Sequence, residues 1–467
     1  MFDGAWRMLH GQRPHVDFSS MVGPAAYLPT LVGLKVSNYS ATGFGYGQAL
    51  VALLIGAWAY FLGSRLLDVP RVAYSLCIAA VAVSPTQLGL SPFELTPAGT
   101  YNRYGYALLG LALLECYRAW NRADLAGGLS TGAIISTLAF LKTPYCLAGI
   151  VMVVLLSNPK KQSTGRLIGL VLGVAVVGLA FMAYLGFQAN MILGDLALTL
   201  AARHIDFFSL YNLNMIFLEG GLSLVLGTGG VAFLKSQNRA EEAKALESMV
   251  LVVTSSSLFL ILCSYQQLEL PLAPLMLVLV VDAMSTHGVV DVGPGMYALR
   301  GMSIAGTTVF VGITLFSLVL SLAWGVLLKG VTPGLFPDVP ALRSFSPVKE
   351  DRGYAYFVKD GLQLLQANRR PGEHVMSLDF SNPFSFGLGI PPADGGATTI
   401  QYQSSFDEEH RLSPERLFGS SELVMLPKTF SDGPLTVAIP KTYGPYLYSH
   451  YHLAAESASW QLYRRLN

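Results

Sequence analysis

The sequence predicts a polytopic α-helical membrane bundle with a small C-terminal extracytoplasmic α/β domain, on three observations. Of 467 residues, 52% are hydrophobic and 13% charged, with mean hydropathy +0.48, against the roughly 25% charge of an ordinary soluble domain. Apolar runs approaching the roughly 17 to 25 residues that span a bilayer recur about ten times between 46 and 328. After 328 the pattern stops, and Pro333, Pro337, Pro340 and Pro347 lead into a polar segment long enough for one small domain. The predicted organisation is therefore a first loop over 1–45, a membrane bundle over 46–328 and an α/β domain over 329–467.

In the first 45 residues, the spacing of Trp6, Met8 and Leu9, then of Tyr27, Leu28, Leu31 and Leu34, suggests two helices lying at the membrane interface. Arg7, His10, Arg13, His15 and Asp17 would project from that boundary. The apolar runs follow at 48–66, 72–88, 104–120, 125–141, 144–156, 167–187, 211–234, 249–265, 268–284 and 302–328, the fifth being short for a full span. Gly169, Gly173 and Gly178 give one run a small-residue face suited to close helix contact.

Charge orients the bundle, because Lys and Arg in short loops accumulate on the cytoplasmic side. Alternate loops hold Arg65 and Arg71, Arg118 and Arg122, Lys160, Lys161 and Arg166, Lys235, Arg239 and Lys244, and Arg300. The intervening short loops hold Arg103, Lys142 and Arg203. Both the first loop and everything after 328 then fall outside the cytoplasm, although the first residues carry no basic start and apolar core of a signal peptide. The expectation is that a first transmembrane helix belongs upstream of Met1.

In the C-terminal segment, 354–368 has helical periodicity, while 374–379, 423–426, 436–439 and 460–463 read as strands. No dinucleotide fingerprint, P-loop or nucleophile elbow is present, so no cofactor is assigned. Gly387 to Pro392 and Asp394 to Gly396 read as plain loops. Net charge is +1, with 30 Lys and Arg against 29 Asp and Glu, which gives no overall attraction for nucleic acid. The four cysteines sit in apolar stretches without metal-ligand spacing and read as small core residues.

The stretch Leu9-His-Gly-Gln-Arg-Pro-His-Val-Asp-Phe18, followed by Gly23-Pro24, resembles the C-type superfamily of membrane glycosyltransferases, the group containing protein O-mannosyltransferases and aminoarabinose transferases. There the first external loop reads as a leucine, a glycine, Pro-Tyr-x-Asp-Phe, and a Gly-Pro or Pro-Pro start to the next helix. Asn102-Arg-Tyr-Gly-Tyr-Ala-Leu-Leu109 and Phe140-Leu-Lys-Thr-Pro-Tyr145 echo later parts of that layout. The resemblance implies transfer of a sugar from a polyprenyl-phosphate donor to an extracytoplasmic acceptor, with a first-loop acid as general base. Asp17, or Asp3, is the candidate base. Arg103, Lys142 and Arg203 are candidates for the donor phosphate, and Arg13, His15, Tyr101, Asn102, Tyr145 and His204 for substrate contacts. The principal catalytic acid of the family, counted back from Gly11, falls before Met1. Some relatives use a divalent metal ion with the loop carboxylates, and that alternative stays open, with His10 and His15 offering ligand types but no shared helical face.

Each candidate has a plainer reading. Asp17 can be an interfacial turn, Lys142 a snorkelling helix-end lysine, Arg103 an aromatic-belt anchor, and Arg203 with Asp206 a local ion pair. Asp195, Glu219 and Asp282 lie in or near apolar runs, where an acid is a functional candidate by default. A transporter or flippase, or a truncated non-catalytic relative, is the alternative to the transferase. The expected habitat is a bacterial inner membrane.

Overall fold

A computed structural model describes residues 1–84, 99–117, 125–157, 163–203, 220–263, 270–286, 293–327, 334–345, 352–429 and 433–466. The helices are α1 (Phe2–Leu9), α2 (Pro24–Val36), α3 (Gly43–Leu62), α4 (Asp68–Val83), α5 (Thr100–Tyr117), α6 (Leu125–Ala139), α7 (Thr143–Leu156), α8 (Thr164–Tyr184), α9 (Ala189–Ala201), α10 (Gly221–Ser236), α11 (Ala240–Cys263), α12 (Leu272–Ser285) and α13 (Pro294–Leu327). The C-terminal part adds α14 (Arg352–Asn368), β1 (Val375–Ser377), α15 (Phe384–Leu388), α16 (Pro414–Phe418), β2 (Leu423–Pro427), α17 (Leu435–His450), β3 (Tyr451–Glu456) and β4 (Trp460–Arg465). Two compact units result: 1–47 with 181–204 and 327–467, and 48–180 with 205–326. The sequence separates the first loop from the C-terminal segment, whereas in the structure both belong to one unit, together with α9.

Among its described residues, the 48–180 and 205–326 unit is built of helices and their short connections. Among those described in the whole chain, four helices are long and apolar enough to cross a membrane, starting at Gly43, Thr164, Ala240 and Pro294, and several shorter apolar helices accompany them. Only 11% of the α8 window is buried, and Val171, Val176 and Leu179 are exposed. Such a surface is stable against hydrocarbon rather than water. Glycines bring α6 and α8 together backbone to backbone. A Cβ on Gly132 would stand 2.2 Å from the Leu170 carbonyl oxygen, and one on Gly169 would stand 2.2 Å from that of Leu125. The small-residue face at Gly169 and Gly173 is this contact.

Asp282, fully buried on α12, accepts from the Leu67 amide at 2.9 Å, just ahead of α4, and from the Tyr117 hydroxyl at 3.1 Å. A helix start has unpaired N–H groups, and this carboxylate satisfies one while anchoring the end of α5. The acid read as a functional candidate is thereby placed as a structural tie. Glu219 lies outside the described residues.

In the other unit the sheet order is β1-β2-β4-β3, with β1 and β2 parallel and the remaining pairs antiparallel. Buried β2 contributes Val424 and Leu426 to a core with Phe418 and with Leu435, Ile439, Tyr443 and Leu447 of α17. Trp460 opens β4 and packs on Phe357 of α14 at a ring separation of 4.3 Å, its indole N–H donating to the Phe357 carbonyl.

One expected strand is corrected. Residues 436–439 lie in α17, because apolar side chains at 435, 439, 443 and 447 keep a four-residue spacing through the segment. The β-branched run Thr436-Val437 and the prolines at 440 and 445 point away from a helix locally, but burial of that face prevails. The expected strand at 374–379 contains β1, those at 423–426 and 460–463 fall within β2 and β4, and the helix at 354–368 falls within α14. β3 and α9 were not anticipated.

Candidate active site

Within the first unit, α1 delivers the chain into a tight loop from Gln12 to Ser20. Helix formation puts Asp3 and Arg7 on one face, four residues apart, and their ion pair of 3.0 Å is sealed, with 6% and 1% side-chain exposure. The Arg7 guanidinium also donates to the Gln12 side chain at 2.9 Å and to the carbonyls of Ala393 and Gly395 at 3.0 and 2.8 Å. Trp6 donates its indole N–H to the Ile390 carbonyl at 2.8 Å. The loops that read as plain in sequence therefore form a cradle for α1 and the loop after it.

That cradle needs glycine. Gly395 and Gly396 both have φ +81°, a region side chains avoid. Their backbone holds the loop on two sides: the Gly395 amide donates to the Asp17 carbonyl at 3.0 Å, and the Ser19 amide donates to the Gly396 carbonyl at 2.9 Å.

A second Asp–Arg pair stands at the turn. Asp17 accepts from the Arg13 backbone amide at 2.7 Å and from its guanidinium at 2.8 and 3.1 Å, a bidentate arrangement. Both side chains are about one-third exposed, 30% for Asp17 and 34% for Arg13. The Arg13 hydrogen bonds hold the Asp17 carboxyl below its ordinary range. Asp17 is consequently ionised at neutral pH, accessible, and a modest base.

Between these pairs lies His15, 2% exposed and in the left-handed region at φ +67°. Its Nδ1 donates to Asp195 Oδ2 at 2.8 Å. The same carboxylate accepts from the Ser19 hydroxyl at 2.6 Å and from the Ser20 amide at 2.9 Å. Arg416, at the start of α16, donates to the His15 carbonyl at 2.9 Å and approaches Asp195 at 3.8 Å. Asp195 sits on α9, whose Leu198 packs against the C-terminal core. Burying a carboxylate costs several kcal/mol (about) unless such partners compensate.

In the second unit, the starts of α5 and α7 carry another group of candidates. Lys142 donates to Asn102 Oδ1 at 3.0 Å, and its ammonium lies 5.0 and 5.9 Å from the ring centres of Tyr101 and Tyr145. Gly105 permits this approach, since a Cβ there would stand 2.5 Å from the Tyr145 ring. Arg103 is buried and donates to the Ser84 carbonyl. The structure thus brings Tyr101, Asn102, Lys142 and Tyr145 together.

Arg203 follows α9 in the first unit, and His204 lies outside the described residues. Among the described residues no three His, Cys, Asp or Glu side chains are gathered to hold a metal ion. His10 bonds back to the Trp6 carbonyl at 2.9 Å. Sequence reasoning named Asp195 only as an acid in an apolar region and passed over Ser19, Ser20, Arg416 and the 393–396 cradle. The local signal for Asp195 was there, an acid within Met191 to Leu200; nothing local pointed to its partners.

Comparison with solved structures finds the crystal structure of ArnT from Cupriavidus metallidurans in the apo state, with TM-score 0.53 and 12% identity, covering 100% of this chain and 92% of that one. This chain has an ArnT-like fold. The likeness expected from the first-loop motif is borne out at the level of architecture over the whole length. No family model and no curated protein matches the sequence.

Proposed function

We propose that this chain is a membrane glycosyltransferase of the C-type superfamily, moving a sugar from a polyprenyl-phosphate carrier to an extracytoplasmic acceptor. The observation that carries the reading is the full-length ArnT-like fold, joined to a first loop whose Pro14, Asp17 and Phe18 match the superfamily's pattern. The habitat proposed is a bacterial inner membrane, with the first loop and the C-terminal domain outside the cytoplasm.

Of the two candidate bases, Asp17 is favoured over Asp3. Asp3 is sealed by Arg7, whereas Asp17 is accessible and ionised. A carboxylate within hydrogen-bond reach accepts the acceptor hydroxyl's proton as the new glycosidic bond forms. The carrier phosphate leaves as an anion, and a fixed cation stabilises the charge developing on it. Lys142 suits that role, with Tyr101, Asn102 and Tyr145 orienting its ammonium. Arg103 is better assigned to holding the Ser84 carbonyl. Arg203 is retained as a second candidate cation.

The test is thermal stability of the purified chain with and without undecaprenyl phosphate, because a ligand bound to the folded state raises stability. Wild type is expected to be stabilised, Lys142→Ala to lose the shift, and Asp17→Asn to keep it. No shift in wild type overturns the carrier assignment.

A further inference from the structure

We infer that Asp195 is a positioning residue for the first loop: from α9 it fixes the backbone on both sides of Asp17 and so sets where the proposed base stands. The inference rests on the transferase reading. Three hydrogen bonds converge on this one carboxylate, and all come from the six-residue stretch 15–20: His15 Nδ1 at 2.8 Å, the Ser19 hydroxyl at 2.6 Å and the Ser20 amide at 2.9 Å. Asp17 lies between these anchor points. Its own side chain accepts from the Arg13 amide and guanidinium, four residues away, a local contact that sets its charge without tying it to a distant element.

The division of labour follows from chemistry. An ionised carboxylate offers acceptor sites in several directions and no donor, so it can gather an imidazole N–H, a hydroxyl and an amide at once. An asparagine keeps one acceptor oxygen, so its nitrogen would face either the His15 and Ser20 N–H donors or the Ser19 hydroxyl, which would have to turn and accept. The loop also stores strain, since His15 holds φ +67°, a conformation that persists only where its surroundings over-determine it. The bond to Asp195 and the Arg416 bond to the His15 carbonyl supply that constraint. Asp282 provides an internal contrast: equally buried, its side chain ties helix ends together, accepting from the Leu67 amide and the Tyr117 hydroxyl.

The experiment compares wild type, Asp195→Asn, His15→Asn and His15→Ala in the purified full-length chain, with undecaprenyl-phosphate-linked sugar as donor. A displacement of the base by about 1 Å costs roughly 100-fold in turnover. Asp195→Asn is expected to lower kcat on that order while leaving the donor KM unchanged. His15→Asn, which tolerates the left-handed backbone and keeps a side-chain donor, is expected to retain more activity than His15→Ala.

The second readout is hydrogen exchange of peptides covering 12–22. In Asp195→Asn the Ser20 amide is expected to exchange faster while 423–427 and 460–465 keep their protection. Unchanged exchange at Ser20, faster exchange with unchanged kcat, or loss of protection throughout the unit would each overturn the inference. Absence of transfer in wild type refutes the transferase reading instead, and the exchange result still decides whether Asp195 clamps the loop.

Discussion

The first loop contains two Asp–Arg pairs of the same spacing and nearly the same bond length, and they differ in what surrounds them. Asp3 and Arg7 are enclosed by Gln12 and the 393–395 backbone, while Arg13 and Asp17 are about one-third exposed. The sealed pair fastens α1 to the C-terminal residues. The open pair holds a charged carboxylate that solvent reaches, which is why the proposed base is Asp17. Identical pairing chemistry thus anchors in one place and leaves an accessible carboxylate in the other, and burial decides which.

Substitutions can break this contrast. Asp17→Asn is expected to have the largest effect, lowering sugar transfer by about 10² to 10⁴-fold with only a small fall in the thermal midpoint, as checked by initial rates and a melting curve. Arg7→Met should act on stability instead. Removing one partner of a buried pair costs about 3–5 kcal/mol, so denaturation should shift strongly while turnover per folded molecule is retained. If Arg7→Met abolished turnover in a chain with unchanged stability, the assignment of the sealed pair to anchoring would be wrong.

A smaller change is expected for Lys142→Ala, which would remove the proposed charged contact with the donor phosphate. A charged hydrogen bond contributes about 1.5–3 kcal/mol, so the donor KM should rise roughly tenfold or more in steady-state assays. The smallest effect is on acid stability. Because Arg13 depresses the Asp17 carboxyl, the pair stabilises the fold fully above the ordinary aspartate value of about 4. That contribution is lost as pH falls through the lower folded value. Wild type and Asp17→Asn should therefore differ in stability at neutral pH and converge in strong acid, measured by denaturation across that range.

Much of the bundle was legible because hydrocarbon requires long apolar runs, and α3, α8, α11 and α13 declare themselves by that rule alone. α9 was not legible as an element: its 13 residues are short for a span and include Asp195. The site shows the same limit. Asp17 and Lys142 stand in recognisable local patterns, but His15 meets Asp195 across 180 positions, and the Gly395–Gly396 cradle gains its meaning from contacts with residues near the other end of the chain. Local pattern names the candidate residues; long-range packing decides which of them are sealed in structural contacts and which stay accessible. The 436–439 segment makes the same point in reverse, since its local strand preference yields to a buried helical face.

The most direct test of the account is release of polyprenyl phosphate from an undecaprenyl-phosphate-linked sugar by the purified chain, with a bacterial envelope lipid extract supplying acceptors. Release that requires the extract and falls at least 100-fold in Asp17→Asn is the predicted result. No release by wild type, or equal release by wild type and Asp17→Asn, would contradict it.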